Sequence, residues 1–137
     1  ERNDPKAATW VYFDEIYLLL RDKLSSQFLY TSWKRFRKYN AYATGITQNV
    51  QDCLSNDTAY AMLANSEFVC MLRQTKDIDS VVELYGLSDP QKNYLKLAKP
   101  GQGILKMGNN LIPFVNDHPT NTKIYRLLTT KPGEMEN

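Results

Sequence analysis

Two adjacent carboxylates, Asp14 and Glu15, close a run of bulky β-favouring residues, Trp10-Val11-Tyr12-Phe13. A helical pattern begins at once with Ile16-Tyr17-Leu18-Leu19-Leu20. A run of Val, Tyr and Phe without alternation predicts a strand covered on both faces, the usual case in a parallel sheet. Acids at its end then lie at the carboxyl edge of the sheet, where open α/β folds bind ligands. One such acid can hold a Mg²⁺ that bridges nucleotide phosphates, often through water. A neighbouring acid can orient or deprotonate an attacking water. The bland alternative is a buried strand that ends in a solvated acidic turn.

Two further strand ends carry polar groups, Gln48-Asn49 and Arg73-Gln74. If all three strands run parallel, these groups share one edge with Asp14 and Glu15. A carboxylate pair with a carboxamide nearby suits phosphoryl transfer: a metal ligand, a water activator and an uncharged group that senses the γ-phosphate. The basic cluster Lys34-Arg35-x-Arg37-Lys38 has two readings. Its lysines suit a solvated helix end, where cations are favoured. Arg37 is the leading candidate for an arginine finger offered to a neighbouring subunit, with Arg35 and Arg73 behind it. Trp33 and Phe36 fall on the inward face at helical spacing with Leu29, which argues against a single-stranded nucleic acid surface. His118, between Asp117 and Pro119, has no partner in sequence to make it a base and is expected to be structural. Met62, Met71 and Met107 read as core filler.

The elements that must position these groups follow from pattern. Strands are expected at about 9–14, 41–47 and 68–72, with helices at 15–23, 26–39, 50–54, 57–65, 76–85 and 89–98. Ser25-Ser26 are the expected cap of the second helix, and Gly86 the left-handed stop of the fifth. Lys99-Pro100-Gly101-Gln102 fits a type II turn. Residues 103–108 and 111–116 then form a hairpin around Asn109-Asn110, and Ile124–Leu128 is a last apolar stretch. The fold class is therefore α/β, a mostly parallel sheet with an antiparallel hairpin at 103–116. Residues 1–8 are expected to be a linker, 9–130 the folded portion and 131–137 a flexible tail.

Composition bounds the rest. The 137 residues are 42% hydrophobic and 23% charged, the profile of an ordinary folded domain with one core. Seventeen basic against fifteen acidic residues leave a net charge of +2, too little to argue for nucleic acid. Cys53 and Cys70 form no C-x-x-C pair, and one histidine is too few for a zinc site, so reduced buried thiols are expected. No apolar run approaches the roughly 18 residues of a membrane span, and no signal peptide is visible. The sequence contains no G-x-x-x-x-G-K-[ST] loop; Gly101-x-Gly103 lacks the lysine and precedes a strand. With no phosphate cradle, these residues alone are expected to hydrolyse nothing. The chain reads as a piece of something longer.

Taken together, five blocks resemble one family in order. Val11-Tyr12-Phe13-Asp14-Glu15 resembles the Walker B segment of the conjugative type IV secretion ATPases. Trp33-Lys34-Arg35-Phe36-Arg37-Lys38-Tyr39 resembles their basic motif, and Gly45-Ile46-Thr47-Gln48-Asn49-Val50 their Thr-Gln motif. Asn65-Ser66 leading to Leu72-Arg73-Gln74, and Pro113-Phe114 with Leu128-Thr129-Thr130-Lys131-Pro132, resemble the last blocks. The likeness runs from about residue 8 to 132 and is nearest to the VirB-type, TraC/TraE-like transfer ATPases of Gram-positive conjugative elements such as conjugative transposons.

That resemblance implies the C-terminal half of a RecA-like P-loop NTPase domain of the HerA–FtsK superfamily, with its Walker A half upstream. It implies ATP and Mg²⁺ as cofactors, and self-association as a hexamer or dimer. It also implies a cytoplasmic position, peripheral at the inner face of the membrane, against secretion-channel proteins and a coupling protein. Asp14 would lie on the Mg²⁺ side and Glu15 would be the catalytic acid. Gln48 would be the sensor, Arg37 or Arg35 the finger, and Gln74 and Arg73 accessory groups at the nucleotide. Asn40 departs from the glycine common after the basic motif, a small change because asparagine tolerates the left-handed conformation. The leading reading is thus part of an ATPase that energises channel assembly or substrate transport in conjugation. The alternatives are a non-enzymatic module docking to channel or coupling proteins, and part of a DNA-pumping coupling ATPase for DNA transfer.

Overall fold

The structure is a computed structural model and describes residues 7–48 and 50–129. Most of the expected lead-in, Asn49 and the expected tail from Thr130 onward lie outside the described residues. The chain divides into two units. One comprises the chain up to Glu67 with Lys76–Ser88; the other comprises Phe68–Thr75 with the chain from Asp89 on.

In the first unit β1 (Thr9–Phe13) pairs in parallel with β2 (Ala41–Gly45), in a register that sets Trp10 opposite Tyr42 and Phe13 opposite Gly45. Between them run α1 (Tyr17–Arg21) and α2 (Lys23–Phe36), and a 3-10 turn at Arg37–Tyr39 leads into β2. Asn40 closes that turn in the left-handed conformation (φ 48°), the role expected of it. The chain continues through α3 (Val50–Leu54), α4 (Asp57–Ala64) and α5 (Ile78–Tyr85). Ile16, Leu20, Leu29, Cys53, Ala59 and Met62 form the core, with Phe13, Tyr17, Tyr30 and Trp33 packed against it. Leu29 and Trp33 thus face inward, as their spacing predicts. Gly86 ends α5 at φ 64°, as expected.

Three local expectations are corrected here. Burial alternates along β1, with Trp10 60% and Tyr12 65% exposed, so the strand is covered on one face within its unit, not on both. The second helix is capped by Asp22, not by Ser25-Ser26. The Asp22 carboxylate accepts both the backbone N–H (2.8 Å) and the hydroxyl (3.0 Å) of Ser25. A charged acceptor at the helix start outcompetes a serine three residues further in. The first helix begins at Tyr17 because Glu15 is left-handed (φ 48°) and cannot join it.

In the second unit β3 (Phe68–Met71), β4 (Gln102–Met107) and β5 (Asn110–Val115) form an antiparallel sheet in that order. α6 (Asp89–Leu97) contacts β4, and Leu95 and Ile104 are fully buried. α7 (Lys123–Leu128) follows on the expected apolar stretch. The expected hairpin is present, but its two-residue turn is Gly108-Asn109, with Met107 opposite Asn110. Gly108 takes a left-handed position in that turn (φ 56°). The type II turn at 99–102 is closed by Gln102 N–H donating to the Lys99 carbonyl (2.9 Å), with Gly101 at φ 82°. Pro113 is tolerated because β5 is an edge strand.

Candidate functional site

Asp14, Glu15 and Gln48 follow the ends of β1 and β2, and the backbone there is locked. Ile46 N–H donates to the Phe13 carbonyl (2.8 Å), and Ile16 N–H donates to the Ile46 carbonyl (2.9 Å). The two bonds clamp both strand ends to the turn that carries the acids. Within that turn Glu15 N–H donates to Asp14 Oδ1 (3.0 Å). This bond helps hold Glu15 in a left-handed conformation that costs a non-glycine residue about 1–2 kcal/mol.

The result is a contact across 33 residues of sequence: Gln48 Nε2 donates to Glu15 Oε1 at 3.0 Å. The other carboxylate oxygen, Glu15 Oε2, is buried and has no hydrogen-bond partner among the described residues. A buried, unsatisfied carboxylate oxygen is expensive to keep, and such strain is concentrated at functional sites. Asp14 is exposed, and its Oδ1 is the oxygen that takes the Glu15 N–H. Behind the pair, Gly45 admits the Ile16 side chain, whose Cδ1 would stand 2.7 Å from a Cβ at that position. Thr47 Oγ1 lies 4.0 Å from the buried Cys53 thiol, on the core side of the Gln48 loop.

Within this unit, Arg35 and Arg37 are not brought to this point. Arg35 and Arg37 are exposed, beside the start of β2. Thr9 N–H donates to the Asn40 carbonyl there (3.0 Å), so the basic turn adjoins the opposite end of the strand pair from the acids. Five strand residues separate the two ends, roughly 15 Å. Arg73 and Gln74 belong to the second unit, where Gln74 N–H donates to the Leu95 carbonyl (3.3 Å). Their strand, β3, pairs antiparallel with β4, the first strand of the expected hairpin. His118 lies within 3.3 Å of Thr122 Oγ1, the residue that caps α7, in keeping with a structural role.

Two residues that hold this unit together were not singled out by sequence. Asn56 accepts from Thr58 and Ala59 N–H while its Nδ2 donates to the Leu20 carbonyl (2.8 Å), tying α4 to α1. Its place in Ser55-Asn56-Asp57 is a capping signal that could have found it. Gly45 carries a weaker signal, a glycine where a small-residued strand ends.

Among the described residues no group of three or more His, Cys, Asp or Glu could hold a metal ion. A caged resident metal does not fit this donor set. A Mg²⁺ held by one carboxylate, with waters and phosphate oxygens completing it, fits the exposed Asp14 carboxylate.

No family model matches the chain, and no curated protein matches it. Among solved structures it is similar to VirB4 of Thermoanaerobacter pseudethanolicus, with a TM-score of 0.77 and 29% sequence identity over 86% of this chain. The match covers 33% of that protein, so the chain spans about a third of its relative's length. The parallel β1–β2 pair, its helices and the antiparallel β3–β5 sheet fit part of a RecA-like domain. In fold and in sequence together, this chain is similar to a VirB-type ATPase fragment.

Proposed function

We propose that this chain supplies the acid-and-carboxamide side of the ATP-hydrolysing site in a type IV secretion ATPase of conjugation. Residues 9–130 would be the C-terminal portion of its RecA-like domain. The observation that carries the reading is the 3.0 Å bond from Gln48 to Glu15, which leaves the second oxygen of Glu15 buried and unpartnered. A carboxylate fixed at one oxygen and unpartnered at the other is suited to accept a proton from a water or to aim it. Gln48 holds that carboxylate and keeps its own carbonyl for the nucleotide or the water. Asp14 would hold Mg²⁺, partly through water, and the ion would neutralise charge on the β- and γ-phosphates. The remote, exposed positions of Arg35 and Arg37 support a finger role toward a neighbouring subunit in a hexamer or dimer, not toward their own Glu15. Arg73 and Gln74 are kept as accessory nucleotide contacts.

The phosphate cradle would come from a segment outside these 137 residues, and the chain alone is inactive in this reading. No helix among the described residues is long and apolar enough to cross a membrane. That is compatible with a peripheral position at the cytoplasmic face, against secretion-channel and coupling proteins. The test is Glu15→Gln in the full-length protein. ATP hydrolysis falls by about two orders of magnitude or more while ATP binding is retained. Unchanged turnover overturns the assignment and favours the non-enzymatic docking module.

A further inference from the structure

The end of α1 remote from Glu15 meets the first turns of α2 and α4, and a cleft of about 410 Å³ lies where they meet. It is roughly 8 Å along α1 from the acid turn, so it is a separate feature. We propose that this cleft binds a phosphoryl group.

The argument starts from Ser26, which lines the cleft and is 2% exposed. Its Oγ has no hydrogen-bond partner among the described residues. A serine inside a helix ordinarily bonds back to the carbonyl four residues earlier. Here the Asp22 carbonyl takes only the Ser26 backbone N–H (2.9 Å), and the hydroxyl is left over. A buried hydroxyl that forgoes its local partner beside a cleft is kept for something that enters the cleft.

The surroundings say what that is. Arg21 and Lys23 supply positive charge at the rim, and no carboxylate lines the cleft. Gln27, Tyr30 and Thr58 add side chains that can donate. The helix N-termini are already served. Asp22 turns its carboxylate to Ser25, and Asn56 caps α4. The site therefore rests on side-chain donors converging from three helices, an arrangement that suits a tetrahedral oxyanion with several acceptor oxygens. Lysine and arginine at such a rim are ordinary phosphate partners.

The test measures binding of inorganic phosphate and pyrophosphate to the full chain at constant ionic strength, by amide chemical shifts. A parallel arm uses phosphatidylcholine vesicles with and without phosphatidic acid. Two variants decide. Ser26→Ala deletes an unsatisfied group and so keeps the fold, which circular dichroism checks; Lys23→Ala lies on the surface. The expected result is saturable shifts at Ser26, Gln27 and Thr58, with each variant weakening binding about tenfold. Variant-sensitive binding of the free anions assigns a soluble phosphoryl ligand. Variant-sensitive binding confined to phosphatidic acid vesicles assigns a lipid headgroup. Absence of saturable binding in both arms, or binding that both variants leave unchanged, overturns the proposal.

Discussion

The close approach of Ile16 to Gly45 makes a double-mutant cycle the sharpest probe of how the acid turn is held. A Cβ at position 45 would stand 2.7 Å from Ile16 Cδ1 and 3.3 Å from Cγ2. Ile16 is 6% exposed within the core of Leu20, Leu29, Cys53, Ala59 and Met62, so its terminal methyl has little room to swing away. Overpacking of this kind costs about 1–3 kcal/mol. Gly45 has no positive φ, so alanine recovers about 0.4–1 kcal/mol by restricting the unfolded chain. The net expectation for Gly45→Ala is a loss of about 1–2 kcal/mol, a fall in Tm of roughly 3–6 °C for a chain of this size. Ile16→Val alone costs about 0.5–1.5 kcal/mol, because it removes a buried methylene. It also removes Cδ1, the atom in closest conflict. In that background Gly45→Ala becomes nearly neutral, so the double variant is about 1–2 kcal/mol more stable than the sum of the singles. Urea denaturation of the four proteins at matched m-values reads the coupling. Additivity within about 0.5 kcal/mol would refute the contact as the reason for glycine at this position.

Asn56→Ala removes both the cap of α4 and the bond to the Leu20 carbonyl, and is expected to cost about 2 kcal/mol by the same denaturation assay. Asp22, held below the ordinary carboxylate range by its backbone and hydroxyl bonds from Ser25, contributes stability that is full above about pH 4. That contribution is lost as the pH falls through its lowered value. The Tm deficit of Asp22→Ala at pH 7 therefore shrinks toward zero in strong acid. Burial, and secondarily the Cys53 thiol, push the Tyr85 phenol up to about 12. A raised value means the folded state holds its proton longer, so stability declines as pH rises from 10 toward 12. Thermal melts of Tyr85→Phe should show a shallower alkaline decline than those of the parent chain.

What was legible in the sequence follows the range of the forces involved. Asp14, Glu15 and Gln48 could be placed because each follows a strand whose residues are β-favouring on their own. A parallel pair then brings the ends together without further information. Gly86 and Gly101 were legible for the same reason, since a left-handed position selects its residue locally. Phe68–Met71 was legible as a strand but not in its partner, because pairing with β4 is set by contacts more than thirty residues away. Trp10 and Tyr12 were misjudged as buried. β-propensity reports a fit to a pleated surface, not the number of faces that are covered. Asp22 was passed over as a cap because two serines nearby carry the same signal, and only geometry shows which acceptor reaches the first turn.

The division between the acids and the arginines is itself informative. The crossover that makes β1 and β2 parallel necessarily returns the chain to the opposite edge of the strand pair before β2 begins. Any basic motif at the end of that crossover, Arg35 and Arg37 included, therefore starts one strand length away from Asp14 and Glu15. No side-chain rotation closes a gap of roughly 15 Å, since an arginine reaches only about half that far from its backbone. In the proposed ATPase, Arg35 and Arg37 can therefore act on an Asp14–Glu15 pair only from a second copy of the chain. Arg37→Gln, which removes the positive charge, should then lower turnover in an assembled protein. Mixing it with a Glu15→Gln protein should restore activity at those interfaces that join an intact Glu15 to an intact Arg37. Absence of rescue in mixed assemblies would return Arg37 to the role of a solvated helix end.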